Sequence, residues 1–143
     1  MNLKKLILGS IITIIPCVSL NCQQQYTISG TVTCNGEGSI YVYLVDEEIA
    51  KIPFTGIQTI VLAPDESTNT LPFAFNNVEA GTYGIRCYQD RNKNGELDRG
   101  AFGPIEPWGM SWQGEKPQKW PKWNNFSFEV MKNISGITIV LNE

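Results

Sequence analysis

Apolar and polar positions along most of this chain alternate in short runs, the two-residue period of half-buried strands and not the 3.6-residue period of helices. The alternation predicts strands at Tyr26–Cys34, Gly56–Ala63, Leu71–Phe75, Gly81–Asp90, Asn125–Met131 and Gly136–Leu141. Ser39–Val45 is apolar or aromatic on both faces, with Ile40, Val42 and Leu44 on one and Tyr41, Tyr43 and Val45 on the other. Asn35-Gly36-Glu37-Gly38 reads as a turn, residues 46–52 as one helical turn, and Pro64 to Asn69 as a polar loop. About seven short strands with turns between them predict an all-β fold, an antiparallel β-sandwich. Residues 90–124 break the pattern, and a connection of about 35 residues is far longer than the usual 4–6, so it is functional or held by something.

The first 21 residues differ from the rest. Lys4 and Lys5 precede the mainly apolar run Leu6–Leu20, and no further charge follows until Glu37. The run of about 15 residues is short for a membrane span of about 20 and matches an export signal. It ends at Ser19-Leu20-Asn21-Cys22, which resembles a bacterial lipoprotein signal, although Asn21 departs from the usual Leu-Ala-Gly-Cys form. The resemblance implies cleavage before Cys22 and acylation of that cysteine. Residues 1–21 are then a signal peptide, 22–25 a lipidated tether and 26–143 the domain. The expected location is a bacterial membrane, at its periplasmic face or the cell surface. Ordinary secretion and an uncleaved anchor are the other readings.

Composition narrows the chemistry. The chain has 143 residues, enough for one domain, and no histidine. That excludes a Ser-His-Asp triad, a Cys-His pair and histidine-ligated zinc or haem. A net charge of −3 argues against a nucleic-acid partner. In an exporting compartment Cys34 and Cys87 are candidates for a disulfide if their strands are neighbours. The other reading is two buried free thiols.

The long connection opens Asp90-Arg91-Asn92-Lys93-Asn94-Gly95-Glu96-Leu97-Asp98. Oxygen side chains at alternate positions 1, 3 and 5 converge when the chain curls, and Gly95 permits the sharp turn at position 6. The Glu96 carbonyl suits position 7, Leu97 pins the loop to the core, and Asp98 supplies position 9. The all-oxygen set suits Ca²⁺ before Mg²⁺. Ala101 stands where an EF-hand has its bidentate Glu, and Glu106 is the residue that can fold back in its place. With few charged ligands, affinity belongs in the range of about 10⁻⁴–10⁻³ M. A metal-free Asn/Gly turn is the alternative. No organic cofactor is implied.

With that loop, the second half resembles the uncharacterised bacterial family catalogued as domain of unknown function 2141. The resemblance rests on Gly81-Thr82-Tyr83-Gly84-Ile85, on Gln89 through Asp98, on Gly103-Pro104-Ile105-Glu106-Pro107-Trp108-Gly109-Met110-Ser111, and on Pro121-Lys122-Trp123 followed by Phe126-Ser127-Phe128. Residues 26–62 match by strand pattern alone. Gln89 stands where the family has histidine. The resemblance implies an exported sandwich of the transthyretin or carboxypeptidase-regulatory type, and no activity.

Trp108, Trp112, Trp120 and Trp123 all fall in the long connection. Exposed rings of this kind stack on sugars, and Trp112 and Trp120, off the family pattern, are the candidates for a glycan-binding alternative. Rings that plaster the loop onto the core are the simpler reading. Glu96, Asp98, Glu106 and Glu115 lie close in sequence, but ion ligation accounts for the first three and nothing positions a substrate. The expected role is therefore non-catalytic, in structure or interaction, with an envelope protein or glycan as partner.

Overall fold

The structure is a computed structural model that describes residues 23–64, 68–112 and 121–141. Ten strands are present among them: β1 (Gln25–Thr33), β2 (Ser39–Val45), β3 (Gln58–Leu62), β4 (Thr70–Glu79), β5 (Gly81–Asp90), β6 (Arg99–Gly100), β7 (Gly103–Pro104), β8 (Trp108–Met110), β9 (Ser127–Val130) and β10 (Ile134–Val140). The all-β sandwich expected from the alternation is the fold observed. One sheet runs β10-β1-β4 and the other β3-β2-β5-β8, with β9 also on β5. All pairings are antiparallel except β10 on β1. Among the described residues the helical structure is limited to 3₁₀ turns at Ile49–Lys51, within the helical turn expected at 46–52, and at Trp123–Asn125. No helix among them is long and apolar enough to cross a membrane.

The two-faced pattern of β2 has a direct cause. Ile40, Val42 and Leu44 are fully buried between the sheets, against Ile28, Val32 and Phe75 of the facing sheet. Tyr43 and Val45 point the other way, into a second cluster with Tyr88 and Phe126, packed by Leu97, Trp108 and Trp123. Strand β2 is thus covered on both faces, which removes the polar half of the usual alternation. Tyr41 lies directly opposite Tyr88 across the strands, and their rings stack at 5.2 Å between centroids. Gly84 makes room for this second layer, because a Cβ there would sit 2.6 Å from the Phe126 ring.

The described part of the connection, 90–112 and 121–124, is more ordered than its sequence suggests. It contains the β6–β7 hairpin and β8, all too short to show a period. Strands β8 and β9 share one edge of β5, opposite residues 86–88 and 81–84 respectively. Ile85 lies in the gap between them, and buried Ser111 fills it. The Ser111 N–H donates to the Ile85 carbonyl at 2.9 Å, and the Ile85 N–H donates to Ser111 Oγ at 2.8 Å. Ser111 Oγ also donates to the Phe126 carbonyl at 2.7 Å.

The disulfide expected between Cys34 and Cys87 is not formed; both are buried free thiols. Cys34 follows β1 and Cys87 lies in β5, and those strands belong to different sheets. Both side chains pack as small hydrophobes in the core between the sheets. The Cys87 thiol donates to the Gly109 carbonyl. Residues 1–22, where the signal and the acylated Cys22 are expected, lie outside the described residues, as do Glu115 and Trp120.

Candidate functional site

Strand β5 delivers Asp90 to the outer face, the face of Arg86 and Tyr88, and the chain then curls through the motif. Asp90 is nearly fully buried. Its Oδ1 accepts the Asn94 N–H at 3.1 Å, and its Oδ2 accepts the Gly95 N–H at 2.8 Å. Asn92 Oδ1 accepts the Asn94 N–H and Asn94 Oδ1 accepts the Glu96 N–H, so each short side chain fixes the backbone two residues on. Gly95 adopts φ +80°, the left-handed turn anticipated at position 6. Tyr88 donates its hydroxyl to the Gly95 carbonyl at 2.8 Å, and half-buried Leu97 packs into the aromatic layer.

Asp98 is the centre of the loop. The side-chain amides of Asn92 and Asn94 both donate to its carboxylate, the latter at 3.1 Å. Glu106 is brought back to the same place by the β6–β7 hairpin, whose register sets residues 98 and 105 side by side; the Ile105 N–H donates to the Asp98 carbonyl at 2.9 Å. The Glu106 carboxylate, only 6% exposed, accepts the Arg91 N–H at 2.8 Å on Oε1 and the Asp98 N–H at 3.1 Å on Oε2. It therefore spans the mouth of the loop.

Five of the six anticipated residues are joined in one hydrogen-bonded unit through their side chains: Asp90, Asn92, Asn94, Asp98 and Glu106. Glu96 joins only by its backbone and is otherwise exposed. Among the described residues no three acidic or thiol side chains gather closely enough to hold an ion by themselves. A cation here would draw on the Asn92 and Asn94 amide oxygens beside the carboxylates. These side chains carry the oxygen donors a hard cation takes. As placed, the Asn92 and Asn94 amides turn their N–H groups toward Asp98 and their oxygens toward backbone N–H, so binding an ion would require both amides to turn.

Gln89 faces away from the loop. It is fully buried, and its Nε2 donates to the Gly36 and Glu37 carbonyls, holding the turn between β1 and β2. Trp112 is half-buried, with its ring edge-on to Trp108 at 6.0 Å, so it is a packing residue more than a free platform. Sequence patterning did not single out Arg86. It projects among the aromatic rings and donates from Nη1 to the Ala50 carbonyl and from Nη2 to the Thr55 carbonyl.

A family described as an uncharacterized protein conserved in bacteria, domain of unknown function 2141, matches residues 28–137. The chain belongs to this family. The family span takes in both sheets, the loop Asp90–Asp98 and Glu106. It therefore extends well beyond the C-terminal half that carried the motif resemblance. No curated protein and no solved structure matches the chain.

Proposed function

We propose that this protein is a non-catalytic, lipid-anchored envelope protein of a bacterium whose sandwich carries a Ca²⁺ site at Asp90–Asp98, in a structural or interaction role. The observation that carries the reading is Glu106. The sequence lacks the position-12 carboxylate of an EF-hand, and a carboxylate 15 residues beyond Arg91 would be remote without the hairpin that returns it to Arg91 and Asp98. Two aspartates, two asparagines and one glutamate then surround a loop of the required curl. The ion would hold the loop shut and neutralise Asp98 and Glu106, while the chain's own residues set the geometry: Gly95 the turn, Leu97 the anchorage, Tyr88 the brace. Acylation at Cys22 would place the domain at a membrane surface and leave the loop face and sheet edges for partners.

Terbium tests the site, since Tb³⁺ takes Ca²⁺ sites and its emission is sensitised by nearby aromatic rings. Tyr88 on the Gly95 carbonyl supplies such a ring. The reading expects sensitised emission that excess Ca²⁺ displaces and that Asp98→Ala abolishes. Emission unchanged in Asp98→Ala would contradict it.

A further inference from the structure

On the outer face of β2 and β5 lies a cavity of about 430 Å³. That volume falls within the roughly 300–1,000 Å³ of small-molecule sites. Its walls are rings: Tyr43, Tyr88, Phe54, Trp108 and Trp123. Their planes are fixed by one another, Phe54 edge-on to Tyr88 at 5.9 Å and Trp123 edge-on to Phe126 at 5.3 Å. Such walls select a flat, apolar body.

Among the described residues no carboxylate compensates the charge of Arg86. Arg86 lines the cavity, with its guanidinium 5.9 Å from the centre of the Tyr43 ring. Its hydrogen bonds go to neutral backbone carbonyls, and its Nε is buried with no partner. No carboxylate of the described residues forms a salt bridge with it. Arg99 and Lys51 also line the cavity, Glu47 is the carboxylate among its described lining residues, and Lys51 is engaged by Glu48 at 2.7 Å. Burial first, and the neighbouring Arg99 charge after it, disfavour the charged form of Arg86. A partly buried cation without a counter-ion is costly, and an anion entering from outside removes that cost.

We propose that this cavity is a binding site for a small aromatic carboxylate, its ring system between Tyr43, Phe54 and Trp108 and its carboxylate toward Arg86 and Arg99. Nothing in this proposal depends on the loop holding an ion. Charge decides the head group of the ligand and the rings decide its body.

The test is calorimetry on the intact protein with 1-naphthoate and, as the uncharged comparator of like shape, 1-naphthalenemethanol. Naphthoate should bind saturably at one site, about tenfold or more tighter than the alcohol, as one charge-assisted contact implies. Arg86→Gln also removes the contacts to residues 50–55, so the informative variants are at two exposed rim residues. Arg99→Gln should weaken naphthoate about fivefold or more and leave the alcohol unchanged. Phe54→Ala should weaken both. Equal affinities for acid and alcohol, no saturable naphthoate heat, or naphthoate binding indifferent to both variants would each overturn the proposal.

Discussion

Glu106 Oε2 accepts the Asp98 N–H at 3.1 Å, and the same carboxylate accepts the Arg91 N–H through its other oxygen. One buried side chain thus ties both ends of the motif. Its position follows from the β6–β7 hairpin and not from the spacing of the motif itself. Replacing it by glutamine sets an NH₂ against a backbone N–H. Glu106→Gln should therefore lower unfolding free energy by about 1–3 kcal/mol, the cost of an unsatisfied buried donor. Urea denaturation at neutral pH measures this, and an unchanged midpoint would show the contact to be incidental.

Ser111 makes a comparable prediction for the fold. Its hydroxyl takes the Ile85 N–H and gives to the Phe126 carbonyl in a buried gap between β8 and β9. Ser111→Ala should cost about 1–3 kcal/mol, and Ser111→Thr, which keeps the hydroxyl, should recover part of it. Denaturation curves for the two variants, compared with the parent, check the order.

The free thiols predict how stability depends on pH. Burial pushes the Cys87 thiol far above its ordinary range. Burial also raises Cys34, and it raises Tyr43 and Tyr88, the latter with help from its bond to Tyr43. These groups stay protonated in the folded state while the unfolded chain ionises. Their contribution is complete below the unfolded thiol value, near pH 8.5, and falls as pH rises above it. For Cys87 the slope is about 1.4 kcal/mol per pH unit. Denaturation midpoints should be flat near neutrality, decline above about pH 8.5, and decline less steeply in Cys87→Ala. Because the thiols are unbridged, adding a reductant should leave the neutral midpoint where it is.

The two-residue period carried the sandwich well where strands were long. Ser39–Val45 and Gly81–Asp90 have the bounds that the alternation predicts, and the two-faced β2 already implied a cover on its outer side. Strands of two or three residues leave no period to read, which is why β6, β7 and β8 were missed. Parity placed Cys34 and Cys87 toward the core but carried no information about which sheet each strand joins. In the loop, residue spacing foresaw the Gly95 turn and the Leu97 anchor, while the return of Glu106 depends on the β6–β7 hairpin, which leaves no period to read. Arg86 was invisible because a lone arginine in a strand gives no local sign of which rings and carbonyls will surround it.

Anchoring is tested separately. The lipid reading expects wild-type protein in the membrane fraction after cell lysis. Cys22→Ala should leave that fraction, and its retention there unprocessed would favour an uncleaved anchor instead. Equal processing and equal membrane association of the two proteins would contradict acylation at Cys22.

The central claim is that Asp90–Asp98 and Glu106 form a calcium site, and calorimetric titration of the purified protein with Ca²⁺ tests it most directly. The account predicts saturable binding at one site with Kd of about 10⁻⁴–10⁻³ M, abolished in Asp98→Ala and in Asp90→Ala. Heats of dilution alone in the wild type, or identical isotherms in wild type and Asp98→Ala, would contradict it.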